Sequence, residues 1–228
     1  MITPKLDPQT TLFFLCDVQT KFSFAIHEYD QVVATSNKMI KLAKLLGCGV
    51  VCTTQNTRAL GPIDPAIDLQ ALGSLLLGNY DKTLFSMLVP EVLAVLEARP
   101  TINSIVIFGI ESHVCVLQTV LSVLSLRNYA IHVVADGVSS CNAFEIPIAL
   151  DRMRREGAII TTSETAAFQL MGDAGSPMFK AFSRLIKEER ERTKMAGELL
   201  LQGRQKVAQN LLDSEIGGGG FLGVRSAM

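Results

Sequence analysis

The chain has 228 residues, 48% hydrophobic and 19% charged, which suits one domain plus an extension and excludes global disorder. A formal net charge of −1 gives the whole molecule no attraction to nucleic acid or an anionic membrane, although the segment 180–206 holds eight Lys/Arg against four Glu. Five cysteines without a C-x-x-C pair exclude a disulfide framework and a sequence-local zinc knuckle, and fit a reducing compartment.

The opening decapeptide carries Lys5, Asp7 and two prolines, and the apolar run behind it is too short for a signal segment. That run, Thr11–Cys16, reads as a buried strand. So do Gly49–Thr53, Ser104–Phe108, Ala130–Ala135 and Ala158–Thr161, all short and rich in Val, Ile or Phe. Continuous apolar runs are what a parallel sheet covered on both faces requires. Between them, Val32–Leu46 presents Val33, Ile40, Ala43 and Leu46 on one helical face and stops at Gly47. Pro90–Ala98 starts on a first-turn proline. Ser112–Leu126 and Ala143–Glu156 are further helices. Strand–helix alternation predicts a three-layer α/β/α fold around a mainly parallel sheet.

Gln55–Asp81 contains Gly61-Pro62, Asp64-Pro65, Gly73 and Gly78 and reads as a long loop, of a length that is usually functional or mobile in compact domains. Pro177–Lys194 reads as a helix with Phe179, Phe182 and Ile186 on one stripe, a surface for self-association. The expected organisation is one folded domain over 1–193 and an extension over 194–228, helical through Leu211 and disordered over about the last dozen residues, from the Gly217–Gly220 run onward. No stretch approaches the roughly 18 apolar residues of a membrane span. The expected location is cytoplasmic, with a mitochondrion left open.

In open parallel sheets, ligands sit outside the carboxyl ends of the strands. Asp17 follows the first strand there, as a cap or turn residue if it has no partners. Ser104–Val116 reads strand, turn, helix. With Ser112 as N-cap, Cys115 becomes the third helical residue, where free backbone N–H groups and the positive helix end stabilise a thiolate or an oxyanion. By position alone Cys115 is equally a core thiol like Cys48. Lys82, in NYDKT, has nothing local to distinguish it from a surface lysine. Cys16, Cys48 and Cys52 read as small buried hydrophobes, and Cys141 as a structural or partly exposed thiol. His113 lies two residues from Cys115, so the two side chains point to different faces and a dyad is disfavoured.

Taken together, LFFLCDVQ around Asp17, YDKTLFS around Lys82 (K-x-x-[FY]-S) and GIESHVC ending at Cys115 resemble the isochorismatase-like cysteine hydrolases in order and spacing. The resemblance runs over about residues 11–188. It is nearest to the isochorismatase domain-containing subgroup through LLGCGVVCTTQ, HVVADGVSS and TTSETAAFQLMGDAGSPMFKAFSRLIKE. It implies a catalytic group of Asp17, Lys82 and Cys115 that hydrolyses a small-molecule amide or related C–N bond through a thioester. It further implies an oxyanion hole of the Glu111 and Cys115 backbone N–H groups, with a cis peptide at Ile110–Glu111. Gln19, Phe22, Gln55, Asn56, Phe85 and Ile110 flank these positions as pocket-lining candidates. Where nicotinamidases of the family carry a metal-binding D-x-H stretch, this chain reads TTQNTRALG, and His27, His113 and His132 are unhelpfully spaced. No metal and no cofactor are therefore expected, and the nicotinamidase reading weakens. Family enzymes that cleave isochorismate commonly lack the cysteine, which argues against that substrate.

Two other classes stay open. A basic C-terminal face joined by Arg152, Arg154 and Arg155 would suit an RNA-binding or ribonuclease-type protein, though nucleic acid is disfavoured by the interspersed Glu residues and the lack of aromatic stacking. A scaffold with a degenerate site is the other. The expected partners are a small-molecule substrate and further copies of the chain.

Overall fold

The computed structural model describes residues 5–202. Six parallel strands form one sheet: β1 (Thr11–Cys16), β2 (Gly49–Gln55), β3 (Leu76–Lys82), β4 (Ser104–Ile110), β5 (Ala130–Ser139) and β6 (Ile159–Thr161). Their spatial order is β3-β2-β1-β4-β5-β6. Strand order therefore reverses between β1 and β4, whose carboxyl ends flank the crevice where such sheets bind ligands.

Alternation along β1 shows why three layers form. Phe13 and Leu15 face a core shared with α1 (Tyr29–Leu46), α6 (Ser163–Met171), α7 (Phe179–Glu188) and α8 (Arg190–Gly197). Leu12, Phe14 and Cys16 face a second core shared with α3 (Pro90–Glu97), α4 (Leu117–Ser125) and α5 (Glu145–Glu156). Both sheet faces are covered, as the continuous apolar runs require.

Four expectations need correcting. Within the presumed loop Gln55–Asp81, a helical turn α2 (Thr57–Leu60) and a 3-10 segment (Leu69–Leu75) lead into β3. β3 is an edge strand, mostly half-buried or exposed, and its sequence LLGNYDK has no apolar run beyond Leu76-Leu77. The Pro177–Lys194 helix is two helices, α7 and α8, divided at Glu189. Its stripe turns inward: Phe182 is wholly buried, in edge-to-face contact with Phe168 at 5.1 Å, and Phe179 and Ile186 pack on the same core. That removes the stripe as a self-association surface. Nor does residue 193 end the packed domain, because Ala196 and Leu200 are buried in the first core and Thr193 Oγ1 accepts from the buried Lys38 ammonium. The expected helix through Leu211 and the disordered end lie outside the described residues.

Candidate active site

Asp17 directly follows β1 in a left-handed conformation (φ 51°), which a short polar residue tolerates better than a bulky one. Its N–H donates to Thr53 O at 3.2 Å and its Oδ1 accepts from Thr53 Oγ1 at 2.7 Å, so β2 fixes the carboxylate. Its Oδ2 accepts from Lys82 Nζ at 2.6 Å. Asp17 is 1% exposed and Lys82 4%. Lys82 therefore is not a surface lysine. From the end of β3 its stem reaches past β2, and its ammonium also donates to Gln55 Oε1 at 2.7 Å and to the carbonyls of Leu84 and Phe85, each at 3.1 Å. Burial alone would pull its pKa down. The acids around it, Cys16, Asp17 and Cys115, outweigh burial and hold it above the ordinary lysine value.

The nucleophile candidate arrives from the other side of the crevice. β4 ends at Ile110 and the Ile110–Glu111 peptide is cis, as the resemblance implied. Glu111, not Ser112, is the N-cap, and a π turn over Ser112–Val116 precedes α4. Glu111 O accepts from the N–H groups of Val114 and Val116; neither bond uses the Cys115 N–H. Cys115 is 6% exposed and stands in the core beside Cys16. Gly109 makes this approach feasible. It pairs with Cys16 in the β1–β4 ladder at φ 119°, and a Cβ there would collide with the Cys16 carbonyl oxygen.

Cys16 is a neighbour that the sequence reading missed. Burial, then a hydrogen bond to Cys115, then the Asp17 charge push its thiol pKa well up. Cys16 thus stays protonated beneath Cys115 and supplies a weak donor to that sulfur. No sequence signal separates it from Cys48 or Cys52.

The pocket-lining candidates divide. Ile110 is wholly buried at the cis bond, and Gln55 joins the Lys82 cluster while its Nε2 donates to Thr83 O. Phe85 offers its carbonyl to Lys82 and is 49% exposed as a residue. Gln19 is wholly buried and its amide is spent on backbone: Nε2 donates to Gln55 O and Gly61 O, and Oε1 accepts from Gln55 N–H. It fastens the α2 segment in place of lining an open surface. Asn56 caps α2 through the Ala59 N–H, and Phe22 packs partly against the first core. His113 turns from Cys115 to Ser140, its Nδ1 2.9 Å from Ser140 Oγ. A surface cavity of about 950 Å³ opens at the amino ends of the strands beside Leu6, Pro8, Gly47 and Met171. None of these candidates lines it.

The basic face is largely compensated. Arg152 pairs with Glu156, while Arg154 and Arg155 pair with Asp151.

Residues 11–165 match the isochorismatase domain family model. Isochorismatase domain-containing protein 1 of Salmo salar is 40% identical over 186 residues, covering 82% of this chain and 64% of that protein. The chain thus spans just under two thirds of that relative. A solved structure described as the MAR1 ribonuclease of Caenorhabditis elegans superposes with a TM-score of 0.73 at 33% identity, over 80% of this chain and 92% of that one. The YcaC protein of Escherichia coli, described as an octameric hydrolase of unknown specificity, has a TM-score of 0.67 at 17% identity, over 92% and 98%. At that identity it speaks for the fold alone.

Proposed function

The chain belongs to the isochorismatase family of hydrolases, and we propose that it is a cysteine-dependent hydrolase of a small-molecule amide or related C–N bond. The observation that carries this reading is the Asp17–Lys82 ion pair. A 2.6 Å pair with both side chains at or below 1% exposure is a costly arrangement for stability alone. It stands in the switch-point crevice into which β4 brings Cys115.

The chemistry follows from the groups present. Cys115 sulfur attacks the substrate carbonyl carbon while its proton passes to Asp17. Each carboxylate oxygen has two acceptor positions, so the bonds from Thr53 and Lys82 leave room for that proton. The Lys82 charge holds Asp17 in place and offsets the buried anion as sulfur ionises. The backbone N–H groups of Glu111 and Cys115 receive the oxyanion. Asp17 then passes its proton to the leaving nitrogen as the C–N bond breaks, leaving a thioester. Water attacks that carbonyl with Asp17 as base, the S–C bond breaks, and the proton returns to sulfur.

Ammonia release from a panel of small amides and ureido acids tests the reading. Release is expected from the wild-type protein and none from Cys115→Ala. Turnover retained by Cys115→Ala refutes the thiol mechanism, as does alkylation of Cys115 by iodoacetamide that Asp17→Ala leaves unchanged.

We also assign a homo-oligomeric state. The support is the apolar pair Phe144 and Ile148, one helical turn apart and 63% and 60% exposed. A monomer in sedimentation at micromolar concentration would contradict it. The nucleic-acid reading is not favoured, because the arginines it needs are paired with acids.

A further inference from the structure

We infer that Glu111, His113 and Cys141 form a three-ligand site for one divalent cation of the zinc type, beside the catalytic group but sharing no side chain with it. One ligand atom from each residue lies within 4.8 Å of the others. A tetrahedral zinc site holds such atoms about 3.3–3.7 Å apart, given ligand distances of roughly 2.0–2.3 Å. Side-chain adjustments of about an ångström close that gap.

Carboxylate, imidazole and thiol together suit zinc, and three protein ligands leave a fourth position for water. Sequence spacing hides the trio. Glu111 and His113 flank the start of the π turn after β4, whereas Cys141 follows the end of β5, the adjacent strand.

Two features distinguish the trio from a chance gathering of polar side chains. The Cys141 N–H donates to Glu111 Oε2 at 2.8 Å, which anchors one carboxylate oxygen and leaves Oε1 for an ion. Ser140 Oγ stands 2.9 Å from His113 Nδ1. With Nδ1–H donating to that hydroxyl, the Nε2 lone pair is available to a metal. This is the outer-shell arrangement that orients ligating histidines. Cys141 is exposed, so an ion reaches it from solvent. Binding exchanges the Cys141 thiol proton for the metal: the S–H bond breaks, an S–metal bond forms, and one proton leaves to solvent. Thiolate and carboxylate together neutralise the dication. The ion ties the end of β5 to the turn that carries Cys115, and the site stands whether or not Cys115 is a nucleophile.

Titration of the reduced, metal-free full chain with Co²⁺, followed by displacement with Zn²⁺, tests this. The expected result is one Co²⁺ per chain with a thiolate-to-cobalt charge-transfer band that Zn²⁺ abolishes, and a Zn²⁺-dependent rise in Tm. Band and Tm rise should vanish in Cys141→Ser, fall at least tenfold in affinity in His113→Gln, and persist in Cys115→Ala. No band at micromolar protein overturns the inference. So does a band that survives Cys141→Ser, or one lost in Cys115→Ala, which would put the ion on the triad thiol.

Discussion

Replacing Lys82 with methionine keeps the length of the stem and deletes the charge. Asp17, at 1% exposure, is then left with its hydrogen bonds to Thr53 but no counter-ion, and Gln55 Oε1 and the carbonyls of Leu84 and Phe85 lose a donor. Removing one partner of a buried pair costs about 3–5 kcal/mol, whereas replacing both can be nearly neutral. Lys82→Met is therefore expected to lose about 3–5 kcal/mol in urea unfolding at neutral pH. Asp17→Asn in the same chain should recover at least about 2 kcal/mol of it, with amide hydrolysis absent from both variants. Recovered stability without recovered turnover separates folding from chemistry. A Lys82→Met chain within about 0.5 kcal/mol of wild type, the usual range for surface changes, would refute a buried pair. A double variant no more stable than the single one would refute the charge argument.

Other expectations follow from single residues. His132 is buried in β5, neither ring nitrogen has a partner among the described residues, and burial lowers its pKa from 6.5 to about 4. The unfolded chain takes up this proton first as pH falls, so stability is full above about pH 6.5 and is lost toward pH 4, by about 3 kcal/mol. His132→Leu should flatten that part of the wild-type stability profile; an unchanged slope between pH 6.5 and 4 would contradict it. Gly109→Ala drives a methyl group into the Cys16 backbone, and circular dichroism with limited proteolysis should report a chain that is unfolded or several kcal/mol less stable; a wild-type Tm would refute the close approach. Phe182→Ala empties a fully buried site and should cost about 3–5 kcal/mol in urea unfolding. A loss under about 1 kcal/mol would return the stripe to the surface.

The sequence exposed most of the fold because five of the six strands have both faces covered and read as apolar runs. β3 escaped, since its sequence LLGNYDK has no apolar run beyond Leu76-Leu77 and Gly78 looks like loop punctuation. α6 escaped too, as a short helix opened by Thr162 inside a run of hydroxyl residues. At the site, Asp17 and Cys115 had positional arguments of their own: the end of a strand and the start of a helix. Lys82 had none. Its burial is set by β1 and β2, which no local pattern around residue 82 encodes. Likewise Cys141 meets Glu111 and His113 only because β4 and β5 are neighbours. Placing the N-cap at Ser112 was one residue late, because a π turn closes on the Glu111 carbonyl and shifts the helix start.

The Asp17–Lys82 bond spans 65 residues, and that span has a consequence for synthesis. Chains emerge from the ribosome at about 5–20 residues per second. Asp17 therefore precedes its counter-ion by an interval on the order of 3–13 s, during which the carboxyl end of β1 can be completed only by leaving a carboxylate in water. A nascent or truncated chain ending before Lys82 therefore carries Asp17 without its counter-ion, at the carboxyl end of β1.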